Sequence, residues 1–196
     1  MPSFAIIGHI ARTDGAFSLN DLPGMGGRMD VLCRCLNSSL FLSHDLRRDT
    51  ECYLILCGEP AGPKTVRFLG SAVRSLSPDE RSAGSLIKKA LTIPVGSEFR
   101  EAAPGIMVRK GGLARLMSEH AFAVLDEKGP DVRRAETLPD AFLLSDHLNF
   151  TVEEESLLAA CPRYSVGPVC LHADHTITLV QNELDRRRCQ WTSMNR

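Results

Sequence analysis

Short apolar runs, each closed by a glycine or a polar turn, alternate with helical segments along this chain, and that alternation limits the folds open to it. The runs are Phe4 to Gly8, Cys52 to Cys57, Ala121 to Leu125, Ala141 to Leu144 and Tyr164 to Val166. Runs this short and this uniformly apolar fit strands buried on both faces. Strands that alternate with helices imply an α/β protein with a mostly parallel sheet.

The helices are marked by spacing and by caps. Between Arg28 and Ser43, the residues Met29, Leu32, Cys33, Leu36 and Leu40 fall on one face. Ser77-Pro-Asp-Glu80 reads as a helix start, with Ser77 as cap, Pro78 in the first turn and Glu80 completing a capping box; Leu86, Ile87, Ala90 and Leu91 face inward, and Pro94 ends the helix. Residues 112 to 119 form a short helix. Thr151-Val-Glu-Glu154 is a second capping box, opening a helix to about Ala160. The last helix runs from Asp174 to about Arg188, with Ile177, Val180 and Leu184 on one side and Arg186 to Arg188 in its final turn, where cations complement the helix dipole.

Length sets the scale: 196 residues predict a single domain spanning 1 to 196, large enough to bury a core without disulfides. A 43 % apolar and 24 % charged composition excludes global disorder. No apolar run is long enough to span a membrane, and Met1 to Gly8 has neither the basic start nor the apolar length of a leader, so the expected location is the cytoplasm. The seven cysteines are an odd number without a C-x-x-C pair; most sit in apolar runs as small core residues, whereas Cys189 lies among arginines. The net charge of -1, from 23 basic and 24 acidic residues, argues against a large nonspecific nucleic-acid surface. Of the 23 basic residues, however, 18 are arginine, whose planar fork suits phosphates and bases.

Nucleotide motifs of the common kinds are absent. No G-x-G-x-x-G follows a strand, and there is no G-x-x-x-x-G-K-[ST] loop, which disfavours hydride transfer on a Rossmann fold and P-loop chemistry. His172-Ala-Asp-His175 has the composition of a metal cluster but straddles a helix start, where Asp174 serves as a cap. Ser145-Asp-His147 contains the residue types of a hydrolase triad, yet consecutive residues at a strand end cannot face one another. The loops Leu143 to His147 and Ser165 to His172 nevertheless follow successive strands, and if those strands are neighbours the loops meet in a crevice at the carboxyl edge of the sheet. Gly167 would let a ligand approach the backbone there.

Two strings in the last third carry a resemblance. Phe142-Leu-Leu-Ser-Asp-His-Leu-Asn-Phe-Thr-Val-Glu-Glu-Glu155 and Ser165-Val-Gly-Pro-Val-Cys-Leu-His-Ala-Asp-His-Thr-Ile-Thr-Leu-Val-Gln-Asn-Glu-Leu-Asp185 resemble the C-terminal signature of the TrmY family, the archaeal-type tRNA pseudouridine N1-methyltransferases and their bacterial relatives. Arg28 to Asn37, Leu46 to Asp49 and Ser77 to Ser82 resemble its N-terminal half. The resemblance implies a SPOUT methyltransferase: a Rossmann-like α/β sheet with a deep C-terminal trefoil knot, here about residues 140 to 192, and a homodimer. It implies S-adenosylmethionine bound at Leu143 or Leu144, Gly167 and Cys189, with Ser145, Asp146, Pro168 and Leu171 as neighbours.

The implied reaction is methyl transfer to N1 of pseudouridine in the T-loop of tRNA. N1–H must lose its proton, so a carboxylate, imidazole or arginine at the crevice would help. Asp146, His147, His172 and Asp174 are candidates, with no basis for choosing among them. Arg47 and Arg48 are the expected RNA contacts, with Arg12, Arg34 and Arg81 in the other family-like segments. Three other readings stay open: a knotted RNA-binding protein without catalysis, a SPOUT methyltransferase acting on another RNA, and a metal hydrolase built on His172, Asp174 and His175.

Overall fold

A computed structural model describes residues 1–194, with side chains as far as Cys189. Its strands are β1 (Ser3–Gly8), β2 (Glu51–Leu56), β3 (Lys64–Leu69), β4 (Arg100–Ala103), β5 (Ile106–Lys110), β6 (Ala123–Leu125), β7 (Ala141–Ser145) and β8 (Arg163–Tyr164). Its helices are α1 (Met29–Leu40), α2 (Glu80–Leu91), α3 (Leu113–Met117), α4 (Val152–Leu158) and α5 (Ala173–Met194). The strands form one sheet in the order β4-β5-β3-β2-β1-β7-β6-β8.

The expected parallel sheet is half of the molecule. β2, β1, β7, β6 and β8 run parallel, but β2 to β3, β3 to β5 and β5 to β4 are antiparallel. The added strands escape an apolar-run reading because they are charged. Arg67 on β3 forks onto Glu51 at 2.7 and 3.0 Å. Arg109 on β5, only 2 % exposed, forks onto Glu119 at 2.6 and 2.8 Å and lies 4.1 Å over the ring of Phe99. A fully buried arginine is tolerated only with such a partner.

Strand alternation assigns each apolar run to two cores. Phe4, Ile6, Leu54, Phe142 and Leu144 pack under α1, α2 and α5 with Leu32, Leu36, Ile87, Ile177 and Val180. Ala5, Ile7, Tyr53, Ile55 and Leu143 face the other way, onto Leu113, Leu116 and Phe122, with Leu158 of α4. Both faces are covered, which is why these strands read as unbroken apolar runs.

Several boundaries differ from expectation. α1 stops at Leu40 rather than Ser43, because Arg47 donates its backbone N–H to the Leu40 carbonyl in a turn. α2 is capped by Asp79, whose carboxylate accepts from Ser82 N at 2.7 Å; Ser77 instead donates its own N–H to Ser82 Oγ, so Pro78 lies outside the helix. The capping box of Thr151 and Glu154 is present at α4. α5 continues past Arg188, which places Arg186 to Arg188 mid-helix and removes the dipole argument for them. It also begins at Ala173, so Asp174 lies in the first turn rather than at the cap.

Candidate functional site

Because β1, β7, β6 and β8 are parallel, their carboxyl ends share one edge of the sheet. Three loops leave that edge after β6, β7 and β8, and they enclose a cavity of about 640 Å³. This is within the usual size range of small-molecule sites. Leu125 to Lys128 form one wall, Leu144 to Phe150 a second, and Tyr164 to Gly167 with Val169 to Ala173 a third; Arg28 and Val31 close the α1 side.

Five of the residues expected at a cofactor line this cavity: Leu144, Ser145, Asp146, Gly167 and Leu171. Leu143 lies beneath, its side chain in the opposite core, because it alternates with Leu144 along β7. Pro168 is exposed between the lining residues Gly167 and Val169. Cys189 is elsewhere. It lies thirteen residue steps along α5 from Thr176, the last lining residue, which at 1.5 Å per step is about 20 Å. That distance parts it from the loops with which the resemblance groups it.

The 145–151 turn is fastened from below by a residue that sequence reasoning passed over. His9, just beyond the end of β1, donates its backbone N–H to Asp146 Oδ2 at 3.0 Å. Its ring lies between two carboxylates, with Nδ1 2.9 Å from Asp146 Oδ1 and Nε2 2.9 Å from Glu154 Oε2. Glu154 Oε2 also accepts the Thr151 N–H of the capping box. The hydrogen bond to Asp146 pushes the imidazole up, burial opposes it, and Glu154 adds to it; the result is a pKa of about 9. His9 is therefore an imidazolium at neutral pH, clamping the ends of β1 and β7 to the first turn of α4. The only sequence signal was its position after Gly8 at the carboxyl end of a strand.

Asp146 is spent in this clamp. Its side chain is 1 % exposed, and it accepts from His9 N, His9 Nδ1 and Leu148 N. Burial pushes the carboxyl up, but these hydrogen bonds outweigh it and hold it below the ordinary value. A carboxylate so satisfied is a poor proton acceptor. Ser145 Oγ donates to the Leu148 carbonyl, three residues on. His147 and His172 do line the cavity, whereas Asp174 does not. Among the described residues, no three of His, Cys, Asp and Glu are grouped to hold a metal ion. His172 and His175 instead meet edge to face, with centroids 5.7 Å apart.

The paired arginines have different surroundings. Arg47 is mostly buried and forks onto Asp185 of α5 at 2.6 and 2.9 Å. Arg48 is half-exposed; it reaches Asp45 at 3.0 Å and the Gly70 carbonyl at 3.2 Å, and it borders a second, shallower hollow with His44 and Arg74. Arg12 pairs with Asp14, Arg34 with Asp30 and Glu80, and Arg81 with Asn20.

Residues 1–189 match a family model described as "Putative SAM-dependent RNA methyltransferase". Among curated proteins, the chain is 62 % identical over 191 residues to one from Methanocorpusculum labreanum, covering 95 % of this chain and 98 % of that one. It is 58 % identical to one from Methanospirillum hungatei (97 % and 100 % covered) and 45 % identical to one from Haloferax volcanii (94 % and 96 % covered). All three are named tRNA (pseudouridine(54)-N(1))-methyltransferase. A solved structure of Archaeoglobus fulgidus Nep1 bound to S-adenosylhomocysteine shares the fold, with a TM-score of 0.64 over 96 % of this chain and 99 % of that one at 14 % identity. A model match over nearly the whole chain, together with relatives this close, establishes that the chain belongs to the TrmY family of SAM-dependent RNA methyltransferases.

Proposed function

We propose that this protein methylates N1 of pseudouridine in the T-loop of tRNA, at the position its relatives' names number 54, using S-adenosylmethionine. The observation that carries the reading is the cavity itself: the two strings that resemble the family signature converge there, in a chain 62 % identical to a protein named for this reaction.

The cavity suits the cofactor. A Cβ built on Gly167 meets no atom within 4 Å, so the backbone there is bare toward open space that a ligand could fill. Leu144 and Leu171 offer apolar surface to an adenine ring, and the backbone of the 145–150 and 165–171 loops offers donors and acceptors to its edge. Leu143 and Pro168 would contribute through their backbones, beside Ser145 and Asp146. The walls carry charge of both signs: Asp126 and Glu155 are paired with Arg163, and Lys128 and Arg28 line the cavity beside Glu127. Bound there, S-adenosylmethionine supplies a methyl group on a positively charged sulfur. The protein's part is to hold the acceptor base in line and to stabilise the charge that develops on it.

Further parts of the reading follow the family. The segment of about 140 to 192 forms the trefoil knot, and the protein works as a cytoplasmic homodimer. Leu148, Val152, Leu157, Val169 and Leu179 are large, apolar and exposed within that segment, as expected of a surface covered by a second copy. Arg48, being exposed, is the better RNA contact of the pair.

The test is methyl transfer from labelled S-adenosylmethionine to a tRNA carrying T-loop pseudouridine, followed by nucleoside mass spectrometry. Appearance of 1-methylpseudouridine supports the reading. Cofactor and tRNA binding without transfer would instead favour a knotted RNA-binding protein, and methylation of a different base would move the substrate to another RNA.

A further inference from the structure

One cation in the cavity wall is held in an unfavourable backbone conformation. Arg28 has φ 60° and ψ 32°, the left-handed region that side chains other than glycine rarely occupy. The preceding loop forces it there. Gly27 is also left-handed, and a Cβ on it would lie 1.9 Å from the Ile10 carbonyl oxygen. Arg28 N donates to the Pro23 carbonyl at 3.0 Å, and Gly26 accepts from Arg12 N at 3.1 Å. Such strain persists where surrounding structure overrides it, and it concentrates at functional sites.

The side chain is only partly used. Nε and Nη2 bond the two oxygens of Asp30 at 3.1 and 3.2 Å, and Asp30, itself buried, is gripped again by Arg34 Nη1 at 3.0 Å. This leaves Nη1 of Arg28 free of any bond to the described residues. The guanidinium is thus fixed in direction, one-third exposed, and part of the cavity lining. Because the Nε–Nη2 edge faces Asp30, the end of the guanidinium, Nη1 with the second hydrogen of Nη2, is left to donate to a ligand oxygen.

We infer that Arg28 is a catalytic residue of the methyl transfer proposed above, its Nη1 donating to a pyrimidine carbonyl of the target base and stabilising the anion formed at N1. The inference rests on that function. In the step, N1–H gives its proton to water, the N1 lone pair forms the bond to the methyl carbon, and the electron pair of the broken C–S bond returns to sulfur. Removing the proton leaves negative charge shared among N1, O2 and O4 of the pseudouridine ring. A fixed cation at either oxygen makes N1–H more acidic and lowers the barrier, as an oxyanion-hole donor does.

The test compares wild type, Arg28→Gln and Arg28→Gly in single-turnover methyl transfer to pseudouridine-containing tRNA between pH 6 and 9.5. The melting temperature serves as the folding control, and S-adenosylmethionine affinity by calorimetry separates a loss of cofactor binding, which would overturn the assignment to the base, from a loss of transfer. The expected loss for Arg28→Gln is about 10²-fold at neutral pH, shrinking as the pH rises and the base ionises unaided. Guanidinium ion added to Arg28→Gly, which also relieves the left-handed strain, should restore part of the rate. A loss of equal size at every pH, no loss, or no guanidinium rescue in a folded, cofactor-binding variant overturns the assignment while leaving the proposed function standing. Absence of transfer by the wild type overturns the function, and this role with it.

Discussion

Removing the imidazolium of His9 should change how stability depends on pH, and by a calculable amount. Its pKa rises from 6.5 to about 9 on folding because the ring sits 2.9 Å from both Asp146 and Glu154. A group whose pKa is raised in the folded state stabilises most at low pH. Here the contribution is complete below 6.5 and is lost as pH rises through 9. The difference, at 1.36 kcal/mol for each unit, is on the order of 3 kcal/mol. The side chain is only 10 % exposed, so solvent screening removes little of it. The perturbation is His9→Gln, which keeps one donor toward Asp146 but cannot titrate. The assay is urea unfolding of both proteins at pH 6 and pH 9.5. Other groups titrate in this range, but they are common to both proteins and cancel in the difference. Wild type should lose about 3 kcal/mol more than His9→Gln between the two pH values. Equal losses, within about 0.5 kcal/mol, would refute the ion clamp.

Gly167→Trp should abolish S-adenosylmethionine binding in calorimetry and leave the melting temperature unchanged, since nothing lies within 4 Å of its Cβ position; unchanged affinity would sink the cavity assignment. Gly27→Ala should destabilise by roughly 2 kcal/mol or more, because its φ is +65° and the new Cβ falls 1.9 Å from the Ile10 carbonyl oxygen; urea melts would show it. Arg48→Glu should weaken tRNA binding and flatten its salt dependence with cofactor affinity intact. Arg47→Glu, which sets a carboxylate against Asp185, should lower stability as well; the two variants are separated by comparing salt-dependent tRNA binding with melting temperature.

The parallel half of the sheet was legible because its strands are buried on both faces and read as unbroken apolar runs, as at Phe4 to Ile7 and Phe142 to Leu144. The antiparallel half was not. Its charges are neutralised by partners that a linear scan does not associate: Arg67 by Glu51, and Arg109 by Glu119 with the ring of Phe99. The cavity was foreseeable because its loops leave the carboxyl ends of one parallel set of strands, although β7 and β8 are not the neighbours that the sequence argument required: β6 lies between them. The clamp beneath it was not, since His9 stands 137 residues from Asp146 and 145 from Glu154. Arg47 shows the same limit: nothing local reveals that its partner is Asp185, 138 residues away. The caps were half legible. Thr151 with Glu154 formed as spaced, whereas Asp79 took the role expected of Ser77 because the helix starts two residues later.

The central claim is the chemistry at the carboxyl-edge cavity, and nucleoside mass spectrometry tests it most directly. A tRNA bearing T-loop pseudouridine is incubated with the protein and S-adenosylmethionine carrying a labelled methyl group, then digested to nucleosides. The account predicts one labelled product, 1-methylpseudouridine, formed by wild type and lost in Gly167→Trp. Label on any other nucleoside, or none from a protein that binds both cofactor and tRNA, would contradict it.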